Sequence, residues 1–546
     1  KSLWAYTKEQ IVTFDNMTYK VLVAEGNTPT LMFLGTTKMG ALVIPDKIND
    51  NQGTTFTVTE VAGDTRYPCK DVTSVKLPET IVKLGNICFY DAQLTEINIP
   101  KSVSEIDHVV WAGVKAVPEC KVDAANTHFD SDNNGVLYTE GKVELRSVPS
   151  SIAAKTSSDT YTVDPAVTSI AKGAFFANPG LKKVILPANL QKVEEGWPSI
   201  AATSQLEEFA MTPSSTAKYE VKEGVLFTKG PNKLVLYPHA KNVANYTVPA
   251  GVKEMASYGI AGNGNMTSID LNEVIKVETS AIVDITKLKK IKLPKDIKKA
   301  GLSQGAFEGC NALEAYEVAE GNTDFSAEGG VLFSKNKEIL YFYPLAKPDE
   351  TYTIPSTVKE IAEKAFQGAT KLTSLVIPTS VEKIQEQAFR QNYKLASVKF
   401  CEPSKITDLS AYSFWQCPKL TEVTLPSSIT EIGKVFLQCE NLETVNVPAD
   451  AKLKTIKEDA FATNKNLKKF NFQGNCNLEA IKANAFANAE SLESFNFPKT
   501  VTEIGRNAFS GCTSMATATF AEDADIQVIG EGAFADCGLT SISIPK

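Results

Sequence analysis

The sequence predicts a solenoid of about sixteen stacked coils, each 22–25 residues long, that share one long parallel β-sheet. Two observations indicate this fold class: a phenylalanine recurs at near-constant spacing in the last third of the chain, and apolar residues keep fixed distances from it. Successive phenylalanines are 23, 25, 22, 25, 25, 23 and 25 residues apart. They are Phe366, Phe389, Phe414, Phe436, Phe461, Phe486, Phe509 and Phe534.

A single repeat explains why the coils must stack. Leu375 and Ile377 alternate with polar residues, as in a half-buried strand, and Pro378 ends that strand because it has no N–H to donate. A second short extended or turn segment follows, and Phe389 closes the coil. One coil cannot bury its own apolar side, whereas stacked coils can. The period is that of leucine-rich repeats, so we predict a leucine-rich-repeat solenoid, a β-rich α/β repeat.

The first 355 residues contain the same repeat with interruptions. Three inserts, near residues 123–149, 217–249 and 320–354, each contain Gly-Val-Leu followed by Tyr or Phe, and predict β-hairpins added to the coil. Residues 1–57 lack the repeat and predict an N-terminal β cap on a solenoid that spans residues 58–546. The repeat is least regular over residues 196–266.

Composition and charge exclude several classes of protein. The hydrophobic content of 43% is sufficient for a large core, and a net charge of −8 gives no reason to expect a nucleic-acid partner. No apolar run reaches the eighteen residues of a membrane-spanning helix. The chain begins at Lys1 and not at methionine, so we expect that a signal or lipid anchor preceded it.

The residues that carry chemistry predict no catalytic residue, no metal site and no cofactor. Histidine occurs only three times, and neither a Gly-x-Ser-x-Gly elbow nor a phosphate-binding loop is present. Asp130 and Asp132 begin a segment similar to a calcium loop, but the acidic residue that should close it is displaced to Glu140. Acidic turns in the other two inserts favour a hairpin turn there, with calcium as the alternative.

Half of the ten cysteines occupy one position of the repeat, three residues after the phenylalanine. They are Cys310, Cys417, Cys439, Cys512 and Cys537. Sister coils have Ala369 or Asn392 at this position, which indicates a small buried group and not a paired cysteine. We therefore predict free thiols, with a disulfide or two between neighbouring coils as the alternative.

The repeat resembles that of the BspA-like leucine-rich-repeat family of Bacteroides-type bacteria and some mucosal protists. Residues 498–512, PKTVTEIGRNAFSGC, match the family pattern I-P-x-S-V-x-x-I-x-x-x-A-F-x-x-C almost letter for letter. The Gly-Val-Leu hairpins and the N-terminal cap also resemble family features. The resemblance implies export, display at the bacterial cell surface and non-catalytic binding of host proteins or other cells, and it supplies no catalytic residues.

Two sets of residues are candidates for binding. The first is the outward row of the predicted sheet, which is small and polar and forms either a protein-binding face or a merely solvated one: Lys399, Thr424, Asn446, Asn471, Asn496 and Thr519. The asparagines of this row are expected to form a hydrogen-bonded ladder. The second is a set of hairpin tyrosines expected to reach solvent as interface anchors: Tyr138, Tyr341 and Tyr343.

The sequence therefore predicts a secreted or cell-surface binding protein without catalysis, which mediates adhesion to host or neighbouring-cell proteins. One alternative is a glycan-binding module of a surface carbohydrate system, although the sheet face lacks the aromatic platforms that sugars prefer. Another is a passive spacer that presents a further domain. We expect a monomer, with end-to-end pairing through a last strand at residues 541–544 as the alternative.

Overall fold

The computed structural model describes residues 6–24, 29–196, 205–230 and 232–545. These residues form the predicted solenoid of stacked coils. Each coil has a longer strand with an alternating buried and exposed pattern, as in Ser397–Phe400. These strands pair in parallel with the next coil and form what we call the main ladder. The main-ladder strands are Gly40–Val43, Val72–Lys76, Glu96–Ile99, Glu119–Val122, Thr160–Thr162, Lys183–Leu186, Glu208–Met211, Asn245–Thr247, Ser268–Asp270, Lys290–Leu293, Ala315–Val318, Thr351–Thr353, Ser374–Ile377, Ser397–Phe400, Glu422–Thr424, Thr444–Val447, Lys469–Phe472, Ser494–Phe497 and Thr517–Phe520.

A second parallel ladder, the short ladder, follows the turn after each main strand. Its strands are only two residues long, because a single apolar residue per coil, such as Ile384, points into the core there. They are Lys83–Leu84, Glu105–Ile106, Ser169–Ile170, Lys192–Val193, Glu254–Met255, Lys276–Val277, Glu360–Ile361, Lys383–Ile384, Glu431–Ile432, Thr455–Ile456, Ala480–Ile481, Glu503–Ile504 and Val528–Ile529. A further pair, Ile260–Ala261 and Ile282–Val283, joins two coils at a third position.

The prediction of one long parallel sheet is therefore wrong in this detail. The two ladders are divided into several sheets, because the hairpin inserts interrupt them and because the main ladder also breaks between Phe400 and Glu422 and between Phe472 and Ser494. Each insert has three antiparallel strands, and its last strand continues into the short ladder. The insert strands are Phe129–Ser131, Leu137–Thr139 and Glu144–Ser147; Tyr219–Lys222, Val225–Thr228 and Lys233–Leu236; and Phe325–Glu328, Val331–Ser334 and Ile339–Phe342.

The number of coils also differs from the expected sixteen. The solenoid makes about 21 turns, because the last strand of each insert is part of a coil and the irregular repeats also complete turns. Helix is almost absent: the described helices are the α-helix Ile152–Thr156 and the 3-10 turns Glu140–Lys142 and Lys299–Gly301. Part of the irregular stretch, residues 197–204, lies outside the described residues.

The first strands of the chain cover the end of the stack. Ile11–Phe14 pairs antiparallel with Met17–Val23, which pairs antiparallel with Thr30–Thr36. Thr30–Thr36 already pairs in parallel with Thr55–Val61, and Lys47–Asn49 lies antiparallel to Thr55–Val61. Parallel stacking thus begins at residue 30, while the domain boundary at residue 57 stays a prediction.

The core runs along the inside of the stack. The recurring phenylalanines from Phe366 to Phe509 are fully buried. Successive rings contact one another from Phe366 to Phe436 and from Phe461 to Phe534, as at Phe389 and Phe414 with centroids 4.8 Å apart. The hydrophobic core has three sections, which meet at the first and second hairpin inserts. At the far end the expected strand at residues 541–544 is not formed, and Ile542 and Ile544 are exposed.

Candidate functional site

The outward row of the main ladder brings part of the predicted binding face together. Thr424 lies opposite Asn446, and Asn446 lies opposite Asn471, on three consecutive strands. Asn496 lies opposite Thr519 in the next sheet. All members except Asn446 are exposed: Lys399, Thr424, Asn471, Asn496 and Thr519.

Asn446 departs from the expectation of a solvent-facing row because it is only 5% exposed. Its Nδ2 donates to Glu422 Oε1 at 2.6 Å, and its Oδ1 accepts from Asn471 Nδ2 at 3.1 Å. The expected asparagine ladder therefore joins two residues, because Asn496 belongs to a separate sheet beyond the break in the main ladder.

The expectation that the hairpin tyrosines reach solvent is wrong. Tyr138, Tyr341 and Tyr343 are all at least nine-tenths buried. The alternation rule fails here because both faces of the hairpin strands are covered. Tyr343 stacks on Phe366 at 4.7 Å, Tyr341 contacts Phe325 at 5.6 Å, and Phe342 between them contacts Phe307 at 5.7 Å.

The first hairpin shows how such a tyrosine is held inside. The Tyr138 hydroxyl lies 3.3 Å from both the Tyr161 hydroxyl and Asp132 Oδ2. Burial raises the pKa of Tyr161 to about 12, so both phenols stay protonated. The other oxygen of Asp132 accepts the backbone N–H groups of Asn134 and Val136 at 2.9 and 3.0 Å. The Asp132 carboxylate thus closes the hairpin turn.

One cluster of potential metal ligands was missed in the sequence. His108, Glu144 and Glu194 offer ligand atoms that all lie within 4.8 Å of one another, a donor set that a divalent cation such as zinc accepts. Both carboxylates already have cationic partners, because Arg146 lies 2.9 Å from Glu144 and Lys192 lies 3.0 Å from Glu194. The cluster is therefore an ion-pair network. Its members lie far apart in sequence, which is why no motif revealed them.

The cysteines that follow the repeat phenylalanine form hydrogen bonds to the neighbouring coil. All ten cysteines lie in the described part of the chain and are free thiols. At four of these five positions the thiol donates to the carbonyl of the phenylalanine one coil earlier, as in Cys417 Sγ to Phe389 O at 3.3 Å and Cys439 Sγ to Phe414 O at 3.0 Å. Cys310 donates to Ile282 O instead. Asn392 makes the same bond to Phe366 O at 2.9 Å. The position selects a small buried donor, although sister coils tolerate alanine.

A cleft beside the third insert is a second feature that sequence reasoning missed. We call it the third-hairpin cleft; its volume is about 420 Å³. Its lining is aromatic and amide-rich, and includes Phe307, Tyr316, Phe342, Tyr343, Gln304, Asn311, Gln367, Gln391 and Tyr393. The lining comes from segments up to 89 residues apart in sequence, Gln304 to Tyr393, so no local pattern indicated it.

The repeat is shared with a known protein family. The family model described as "BspA type Leucine rich repeat region" matches in six copies, over residues 32–133, 140–218, 237–338, 346–453 and 434–546. The chain belongs to the BspA-type leucine-rich repeat family. The matched residues include the exposed row of the main ladder and the third-hairpin cleft apart from Phe342, Tyr343 and Leu345. No curated protein sequence matches the chain significantly.

Solved structures of bacterial leucine-rich-repeat proteins are similar to this BspA-type chain. A leucine-rich cell surface protein of Faecalibacterium prausnitzii is 17% identical with a TM-score of 0.37, over 86% of this chain and 96% of the other. A leucine-rich repeat protein of Eubacterium ventriosum is 18% identical with a TM-score of 0.39, over 76% and 93%. One from Bacteroides ovatus is 18% identical with a TM-score of 0.28, over 93% and 94%.

In the part of the chain that the structure describes, no helix has the length and apolar character that crossing a bilayer would need.

Proposed function

We propose that this BspA-type protein is a non-catalytic binding protein, secreted or displayed at the bacterial cell surface, that mediates adhesion to a protein of the host or of a neighbouring cell. Family membership supports export and surface display. The protein acts as a monomer, because a single solenoid already offers an extended surface.

The observation that carries this proposal is the exposed row of the main ladder. Thr424, Asn471, Asn496 and Thr519 are small, uncharged and exposed, on strands that each pair with one neighbouring coil. Because these side chains are exposed, their hydroxyl and amide groups supply the specificity of the face. Such a row offers area and hydrogen-bonding groups to an extended protein ligand.

The state of the reactive side chains supports a role without catalysis. His108 lies between the carboxylates of Glu144 and Glu194, which have basic partners of their own. Burial raises the pKa of Cys120 to about 12, which makes its thiol a poor nucleophile at neutral pH. These groups contribute to stability and leave the polar surface for recognition.

The test is binding to a panel of immobilised matrix, serum and bacterial surface proteins, with substitutions in the exposed row. Thr424→Arg and Thr519→Arg place a long charged side chain on the row and should weaken binding at least tenfold. Thr463→Arg, an exposed threonine on the turn after Phe461, is the matched control and should bind like the wild type. The proposal fails if no protein in the panel binds, or if the two row variants bind as tightly as the control.

A further inference from the structure

The third-hairpin cleft has a rigid aromatic floor. The rings of Phe307, Tyr316 and Phe342 contact one another, with centroids 5.7–5.8 Å apart. All three are at least nine-tenths buried. The strand Ile339–Phe342 beneath the cleft is paired on both sides, with Val331–Ser334 and with Glu360–Ile361. The floor is therefore apolar and closely packed, without a free strand edge, and the exposed ring at the cleft is that of Tyr393.

Neutral amides form the rim of the cleft. Gln304 is fixed, because its Nε2 donates to Tyr341 O at 2.9 Å and to Glu363 O at 2.8 Å. The charged groups that line the cleft, Glu308 and Lys364, pair with each other at 3.6 Å. The rim thus presents hydrogen-bonding groups without a net charge that would attract an acidic or a basic ligand.

A row of glutamines extends from the rim across four consecutive coils, and we call it the glutamine row. Gln367 Nε2 donates to Gln391 Oε1 at 3.5 Å, Gln391 Nε2 to Gln416 Oε1 at 3.0 Å, and Gln416 Nε2 to Gln438 Oε1 at 2.9 Å. The Trp415 indole also donates to Gln438 Oε1, at 2.9 Å. The row runs along the stack, so the cleft continues into an ordered strip of amides.

The glutamine row occupies a position of the repeat with a left-handed backbone. Gln391, Gln416 and Gln438 have φ values of 60°, 59° and 56°. Other coils adopt the same conformation there with other residues, such as Gly368, Asn488 and Ala177. Glycine adopts this conformation without strain, so it can replace these glutamines without disturbing the backbone.

We propose that the third-hairpin cleft and the glutamine row form a binding site for a neutral saccharide. Amides that both donate and accept match sugar hydroxyls, and aromatic rings match the apolar faces of pyranoses. The volume of about 420 Å³ is in the range of small-ligand sites. An extended peptide is a poorer fit, because it would need a free strand edge and the strand below the cleft has none.

Saccharide binding can be tested with substitutions that remove side chains of the glutamine row without straining the left-handed backbone there. Gln391→Gly combined with Gln416→Gly removes two amides from the row while placing glycine in a conformation that glycine prefers. Asn488→Gly changes the same position in a coil outside the row and is the matched control. The probe is an array of neutral and acidic oligosaccharides, followed by calorimetric titration with the neutral oligosaccharide that binds best. Thermal unfolding of each variant checks the fold.

We expect the wild type and Asn488→Gly to bind a neutral oligosaccharide equally, and the double variant to bind at least tenfold more weakly with an unchanged or higher Tm. Tyr393→Ala, at the 56% exposed tyrosine of the cleft, should also weaken binding. The proposal is overturned if no neutral oligosaccharide binds, if only acidic ones bind, if only peptides bind at the cleft, or if the double variant retains full affinity. Protein binding through Thr424 and Thr519 is a separate measurement, and either can fail without the other.

Discussion

At the scale of single residues, the position three residues after each phenylalanine shows what a sequence can reveal. The mixture of cysteine, alanine and asparagine there predicted a small buried group, and the cysteines are indeed free. The hydrogen bond to the carbonyl of the preceding coil could not be predicted, because alanine makes no such bond and also occurs there. Only the stacking distance between coils brings donor and carbonyl together, as at Asn392 and Phe366.

The contribution of this bond can be measured at Asn392. Asn392→Ala removes the bonds from Nδ2 to Phe366 O and Phe389 O and leaves buried carbonyls without that donor. We expect the free energy of unfolding, measured with urea, to fall by about 1–3 kcal/mol. Asn441→Ala is the control, because Asn441 also donates to a backbone carbonyl, Pro418 O, but is exposed. Equal losses in the two variants would contradict the role of the buried donor.

Thiol reactivity should follow burial. Only Cys401 and Cys537 are partly exposed, and the other cysteines are buried. Ellman's reagent should therefore label at most these two in the native protein and all ten after unfolding without reductant. Fewer than ten labelled thiols in the unfolded, unreduced protein would indicate disulfides and contradict the structure.

The protein should lose stability in mild acid through His239. Burial lowers the pKa of this imidazole below its ordinary 6.5, where it packs against the backbone of Gly262. Between 6.5 and the lower pKa of the folded state, the unfolded chain takes up a proton that the folded chain does not, so stability falls as the pH decreases through this window. His239→Gln should reduce the loss in urea midpoint between pH 8 and pH 5. An identical loss in the variant and the wild type would contradict this origin.

At the scale of the elements, the phenylalanine spacing predicted the coil and its buried ring. The predicted strand and its terminating proline are also present, as at Ser374–Ile377 before Pro378. The short ladder was predicted only as an extended or turn segment, because two residues per coil leave no alternating pattern to detect. The buried tyrosines of the hairpins were missed because alternation indicates two faces but not whether a neighbouring coil covers both.

The stacked rings of the recurring phenylalanines, which we call the ring column, should make the largest contribution to the stability of the repeat. Phe389 stacks between Phe366 and Phe414, with centroids 5.0 and 4.8 Å away. Phe389→Ala should lower the free energy of unfolding by about 3–5 kcal/mol, measured by chemical denaturation. Phe534→Ala should cost less, because Phe534 is only partly buried at the last coil of the column. A loss at Phe389 no larger than that at Phe534 would show that the column does not carry the core.

At the scale of the whole molecule, the period of the repeat predicted the solenoid and the family but not the number of turns. The last strand of each insert looked like added chain in the sequence, whereas in space it continues the short ladder, as Lys233–Leu236 does beside Glu254–Met255. The third-hairpin cleft and the cluster of His108, Glu144 and Glu194 were unpredictable for a related reason. Each joins residues from distant coils, and only the stacking of those coils defines them.

The central claim is that the coils form one extended stack that presents surface. About 21 turns at a strand spacing of roughly 4.8 Å give a length of about 100 Å. Small-angle X-ray scattering on the purified protein is the most direct test. We expect a radius of gyration well above the about 24 Å of a compact globule of this chain length, and a pair-distance distribution with a long tail. A radius near 24 Å with a symmetric distribution would contradict the stacked solenoid.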